Sequence, residues 1–230
     1  MFSKVFLAQT ASEIRNHLPD KLCYMALHFS PYGKGLSNVP LSLPKDSIIL
    51  LDDSMPVDNH DPMVVAEQLT ELVLRFSPTA LLMDFQRPAN QALEEMAAII
   101  LQALPCPIGI TTDYAKKLDC HVFLPPPPVN KSLKEYLSPW KDQGIYLEIA
   151  PECSMFTVTE NGCVKEKISL VEGLPLQDVR LHCHYNVEVS SDRAVFTLCR
   201  YKEDLSALVD ETKTLGVLGC IGLYQELKNL

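Results

Sequence analysis

The chain has 230 residues, 47% apolar and 21% charged, a composition that supports a sizeable buried core and excludes a disordered or fibrous chain. With 29 acidic against 20 basic side chains the net charge is −9, so the chain lacks the clustered positive charge that displaces counterions from nucleic acid. No window approaches the roughly 18 consecutive apolar residues of a membrane-spanning helix, and the N-terminal MFSKVFLAQTASEIRN turns polar too early for a signal-peptide core. A cytoplasmic protein with neither membrane nor nucleic acid as partner is expected.

A short helix is predicted around 11–18, with Thr10 and Glu13 as a capping box. The first strand run is KLCYMALHF (21–29), followed by SPYGKGLSNVPLSLPKD, which has no helical period and is expected to be a long loop with Gly33-Lys34-Gly35 at the rim. SIILLDD (47–53) is the second run. A helix then starts at Asp61-Pro62, with Val65, Leu69, Leu72, Val73 and Phe76 on one face. ALLMDF (80–85) follows, then a helix capped by Asn90 with Leu93, Met96, Ala97, Ile100 and Leu104 as its stripe. PIGIT (107–111) and CHVFL (120–124) lead into the prolines 125–128, a stiff extended connection, and into a capping box at Ser132 and Glu135. After IYLEIA (145–150), MFTVTENGCVKEKI alternates around Asn161-Gly162 and predicts a hairpin. The seventh run is LHCHYNVEV (181–189), with 194–198 as the alternative if NVEVSSDRAVFTL forms a second hairpin. A helix over 202–215 ends at Gly216, before CIGLYQ (220–225).

Strand runs alternating with helices specify an α/β protein with a parallel sheet, and eight of them specify a (β/α)₈ TIM-barrel-like fold. The irregular connections after the first, sixth and seventh runs supply one or two inserted β-hairpins, and a single domain over 1–230 is expected.

Strand phase locates the candidate site, because in a parallel barrel alternate residues face the helices and the others face the interior or its C-terminal mouth. With Leu81, Met83 and Phe85 outward, Leu82, Asp84 and Gln86 point in; with Ile145, Leu147 and Ile149 outward, Tyr146 and Glu148 point in. The same test on 23–30 puts Tyr24, His28 and Ser30 inside. On 220–226 it puts Ile221 and Leu223 out, Tyr224 in and Glu226 near the rim. Charges are rarely buried unless paired or functional, so Asp84 and Glu148 form a candidate carboxylate pair. Tyr24, His28, Asp52, Gln86, Tyr146, Tyr224 and Glu226 are candidate ligand-binding residues around it. The competing reading is structural: Asp84 paired with His28 or Arg87, and Glu148 at a wet strand end.

Leu82-Met83-Asp84-Phe85-Gln86 resembles the end of the D-x-D-x-E strand signature of family-eighteen glycoside hydrolases, the chitinases and chitinase-like proteins. The resemblance implies a glycosidase-like barrel taking a carbohydrate-like polar ligand at its mouth, with no cofactor. In that family the last Glu protonates the glycosidic oxygen, and the Asp two residues earlier orients the substrate's acetamido group. Asp84 stands at that Asp, Gln86 stands where the acid belongs, and Leu82 replaces the earlier Asp. An amide cannot donate a proton as a carboxylic acid does, so the resemblance implies either impaired catalysis or an acid from elsewhere, with Glu148 and Glu226 the candidates. In this count the strand is the third, whereas the family carries its signature on the fourth.

Two alternatives stand beside this reading. A catalytically silent sugar- or partner-binding barrel follows from Gln86. A metal-dependent hydrolase follows from His182-Cys183-His184, whose imidazoles share a strand face and would be completed by Asp52, Asp53, Asp84 or His28. The eight cysteines are scattered without a C-x-x-C pair and are expected to be buried and reduced; Trp140 is expected to pack against the core rather than stack on a sugar.

Overall fold

The computed structural model describes residues 4–33 and 35–228. The first half contains β1 (Lys4–Gln9), α1 (Ala11–Ile14), β2 (Leu22–Phe29), β3 (Leu36–Ser37), β4 (Ile48–Asp52), α2 (Pro62–Phe76), β5 (Ala80–Asp84), α3 (Gln91–Ala103), β6 (Ile108–Thr111) and α4 (Thr112–Ala115). The second half contains β7 (His121–Leu124), α5 (Leu133–Leu137), β8 (Ile145–Glu148), β9 (Glu152–Thr159), β10 (Gly162–Ile168), β11 (Leu176–Asp178), β12 (Cys183–Val189), β13 (Arg193–Arg200), α6 (Lys202–Thr214), β14 (Gly219–Leu223) and α7 (Tyr224–Leu227). Local chemistry starts the helices where the sequence predicts. Asp61 accepts from the Met63 N–H ahead of α2, Asn90 from the Leu93 N–H ahead of α3, and Ser132 from the Glu135 N–H ahead of α5. Gly216 ends the α6 segment in the left-handed region, φ 76°. Among the described residues no helix is long and apolar enough to cross a membrane.

Eight parallel strands close into a barrel in the order β1, β2, β4, β5, β6, β7, β8, β14 and back to β1. The count of eight holds, but its membership changes at two places. KVFLAQ, expected only to lead into a helix, is the first barrel strand: Val5, Phe6, Leu7 and Ala8 are apolar on both faces, as a doubly covered parallel strand requires. LHCHYNVEV is not in the barrel. Neither is 194–198; β12 and β13 are a hairpin within a second, antiparallel sheet ordered β10-β9-β13-β12-β11, inserted between β8 and α6. The Asp84 strand is therefore the fourth of the barrel.

The barrel interior is filled by Phe6, Ala8, Cys23, Ile48, Leu50, Ala80, Leu82, Phe123, Tyr146 and Ile221, while the alternate residues pack under the helices. The predicted phase holds on β5 and β8. On β2 it is inverted at the start: Cys23 and Met25 face in and Tyr24 faces out, and a register shift between Tyr24 and Leu27 then restores Leu27 and Phe29 to the outer face. On β14 Ile221 faces in and Cys220 out, because the outer face there must be small: a Cβ on Gly222 would lie 2.1 Å from the Leu227 side chain. Trp140 packs against the outer core.

The inserted sheet is locked to the barrel at the proline run. Arg200, 1% exposed, donates to the carbonyls of Pro127 (2.5 Å), Leu181 (3.0 Å) and His182 (3.2 Å). Val129 packs with Phe156, Cys183 and Leu198 beside it. Cys153 and Cys199, expected to be reduced, sit opposite one another on β9 and β13 and form a disulfide; the other six cysteines are free. Replacing Arg200 by Leu strips donors from three carbonyls at once and should cost about 3 kcal/mol or more, read from the urea midpoint, with Arg200→Lys recovering part of the loss.

Candidate functional site at the barrel mouth

The turn after β5 is built by backbone capture. Asp53, 2% exposed, accepts the N–H groups of Gln86 (2.9 Å) and Arg87 (2.9 Å). The Thr111 hydroxyl donates to the Phe85 carbonyl (2.8 Å), and Arg87 Nη2 donates to the Ser54 carbonyl (3.0 Å). Held this way, Gln86 turns its side-chain amide back onto Asp84 and donates to Oδ1. Asp84 thus pairs with Gln86, not with His28 or Arg87.

The interior-facing ends of β5 and β8 bound a cleft of about 140 Å³, lined by Asp84, Phe85, Gln86, Thr111, Thr112, Asp113, Phe123, Pro125 and Glu148. Both carboxyls resist ionisation. Burial pushes Glu148 up to about 7, and the negative charges of Asp84 and Glu226 add to it against the opposing pull of Lys167. Burial also raises Asp84, opposed by the Gln86 hydrogen bond and reinforced by Asp53 and Asp52. Glu226 is raised by burial too, and its Oε2 has no hydrogen-bond partner among the described residues. This is an acidic group poised near neutrality beside a second carboxyl, an arrangement suited to proton transfer.

The remaining candidates divide. Asp52 lies beside Asp84 in register and accepts from the Ser54 N–H (2.8 Å). His28 is next to Asp52 and spans the Phe29 carbonyl (Nδ1, 2.8 Å) and the Asn38 amide (Nε2, 3.1 Å), partners that fit a proton on Nδ1. Tyr146 faces inward as predicted but lies beneath the cleft as part of the apolar filling, 3% exposed. Tyr24 and Tyr224 are elsewhere. Tyr24 donates to the Asn38 carbonyl (2.6 Å) from the outer face, and Tyr224 opens α7 and stacks on His17 at 5.1 Å. Both placements follow from the phases of β2, where Tyr24 faces the helices, and of β14, where Ile221 faces in. Thr111 and Phe123 were legible by the same test applied to PIGIT and CHVFL; Asp113, in the first turn of α4, carried no such signal.

The two imidazoles of the H-x-H motif do not converge. His182, with φ 49° ahead of β12, meets Glu211 at 2.5 Å, and His184 meets Asp204 at 3.2 Å, so each is tied to its own carboxylate on α6. Among the described residues no group of three or more His, Cys, Asp or Glu side chains is placed to hold a metal ion.

No family model matches the chain, and no curated protein sequence does. Solved structures do. The spore cortex-lytic enzyme SleL of Bacillus cereus superposes with a TM-score of 0.57 at 10% identity, over 96% of this chain and 70% of that one. A GH18 chitinase mutant from Cycas revoluta in complex with (GlcNAc)4 gives 0.54 at 11%, over 96% and 94%. The complex of the Cycas revoluta GH18 chitinase with allosamidin gives 0.54 at 10%, over the same shares. Together with the closed eight-stranded barrel, these likenesses show that the chain has the fold of the family-eighteen chitinases and cortex-lytic enzymes.

Proposed function

We propose that the chain is a glycosidase-like barrel that binds a carbohydrate-like ligand, an amino-sugar oligosaccharide, at the C-terminal mouth and protonates its glycosidic oxygen from Glu148. The observation that carries this reading is the Glu148 carboxyl, raised to about 7 and lining one cleft with Asp84. A carboxyl that is half-protonated near neutral pH is matched to general-acid work, where an amide such as Gln86 is not. Asp84 occupies the place of the Asp that orients the acetamido group in the resembling family, and the Gln86 amide holds its carboxylate in one orientation. The ligand class is supported by the (GlcNAc)4 and allosamidin complexes of the Cycas revoluta chitinase, which has the same fold. A cleft of about 140 Å³ is below the roughly 300–1,000 Å³ of sites that enclose drug-sized ligands, so it would take part of one sugar, with the rest of the chain across the open rim.

A second reading, a silent sugar-binding barrel, is favoured by the Gln86–Asp84 hydrogen bond, which occupies one oxygen of Asp84.

Glu148→Gln should lower kcat/KM on N-acetylglucosamine oligosaccharides by roughly 10²–10⁴-fold with binding retained; unchanged turnover would remove Glu148 from the acid role. Wild-type activity should fall as pH rises through about 7, where Glu148 loses its proton. Stability should follow the same sign. Because the folded carboxyl holds its proton more tightly than the unfolded one, the contribution is full below about 4.5 and lost as pH rises through about 7. Urea titrations of wild type and Glu148→Gln across pH 5–8 should therefore differ by about 1–2 kcal/mol in their pH dependence. Gln86→Glu separates the two readings: in a silent barrel it should create turnover where wild type has none, whereas native turnover in wild type excludes that reading.

A further inference from the structure

The inserted sheet begins where the cleft wall ends. Phe123 and Pro125 line the cleft, and two and four residues further on Pro127 and Val129 hold the sheet through Arg200 and its small apolar core. β9 leaves β8 after only residues 149–151, and the pairing of Lys167 with Ser154 and of Ile168 with Cys153 brings the far end of β10 back to the start of β9. The hairpin is fixed there. The Cys153–Cys199 disulfide joins β9 to β13, and Arg200, next along β13, is clamped to the proline run.

We propose that Lys167, carried to the barrel mouth by this sheet, is a positioning residue for Glu148, which makes the inserted sheet part of the acid machinery. The inference rests on the acid role given to Glu148 above. The titratable and charged groups that act on Glu148 or share its cleft are Asp84 on β5, Glu226 on α7, Tyr136 on α5, the Cys23 thiol on β2, Asp113 on α4 and Lys167 on β10. Lys167 is the one cation among them. Its side chain is exposed and makes no ion pair among the described residues, so its charge acts through space on both Glu148 and Glu226 rather than being spent on a single partner. Without it, the carboxyls at the mouth would oppose the ionisation of Glu148 with no counter-charge, and Glu148 would hold its proton to a higher pH.

The test follows the Glu148 carboxyl directly, by carbon-13 NMR titration of the full chain, so that it does not depend on turnover. Lys167→Met should raise the Glu148 midpoint by about half a pH unit and Lys167→Glu by about one, with Lys167→Arg restoring the wild-type value. The difference should shrink between about 0.01 M and 1 M salt, as a through-space charge requires and a packing change does not. At about pH 4, where Glu148 is protonated in the folded chain with or without Lys167, melting temperatures should not move, because Lys167 is exposed. An unchanged midpoint in Lys167→Met and Lys167→Glu would overturn the inference. The acid role fails separately: if Glu148→Gln retains full turnover that role is lost, and the titration still reads whether Lys167 governs the carboxyl.

Discussion

Three large rings, Phe6, Phe123 and Tyr146, occupy the barrel interior with Leu82 and Ile221, and the strands around them make room with glycine. A Cβ on Gly109 would come within 2.8 Å of Leu82 and 3.2 Å of Tyr146, and one on Gly219 within 3.2 Å of Phe6. This packed floor governs the layer above it. Interior-facing positions recur every second residue, so the next side chains along β4, β5 and β8 are Asp52, Asp84 and Glu148, carboxyls set on an apolar base rather than over a water column. The ionised forms of Asp84 and Glu148 lose hydration without gaining a full counter-charge, which is why burial leads the causes for both.

Gln86 fits this setting better than a second acid would on electrostatic grounds alone. A Glu there would add a further carboxyl to a rim that already holds Asp84, Asp52, Asp113 and Glu148, whereas the amide donates a hydrogen bond that favours the Asp84 anion. Asp53, fully committed to the Gln86 and Arg87 backbone amides, makes that geometry rigid.

How far the sequence reveals this depends on how local the information is. Caps at Asp61, Asn90 and Ser132 depend on neighbours within three residues and were legible, as were the faces of β5 and β8, where one phase is uniformly apolar. Tyr24 was misplaced because a register shift breaks the alternation within β2, an event of pairing with β4 that leaves no mark in LCYMALHF itself. Tyr224 was misplaced because Cys220 and Gly222 are small for the sake of α6 and α7, so apolarity pointed to the wrong face of β14. LHCHYNVEV alternates polar and apolar residues as a half-covered antiparallel strand does, whereas the barrel strands are apolar on both faces, and that distinction separates the two sheets; the Asp84 strand counts as third rather than fourth only when KVFLAQ, apolar on both faces at the start of the chain, is left out of the barrel. Cys153 and Cys199, separated by 46 positions, become neighbours only through the β9–β13 pairing.

The proline run shows how a segment without regular structure can carry the architecture. Proline has no N–H to join a ladder, yet each residue keeps a carbonyl that needs a donor. Here Tyr136 supplies one to Pro125 at 2.9 Å, the Lys131 amide one to Pro128 at 3.1 Å, and Arg200 one to Pro127. The Arg200 guanidinium is itself buried with carbonyls for partners and, among the described residues, no carboxylate bonded to it, a costly placement that is tolerated because its three bonds run to the barrel loop and to the turn before β12. A stiff extended strap and one buried cation thereby fix an entire sheet against the rim. The same strap that anchors the sheet at Pro127 forms the cleft wall at Pro125, so the position of the inserted hairpin and the shape of the site are set by one stretch of chain.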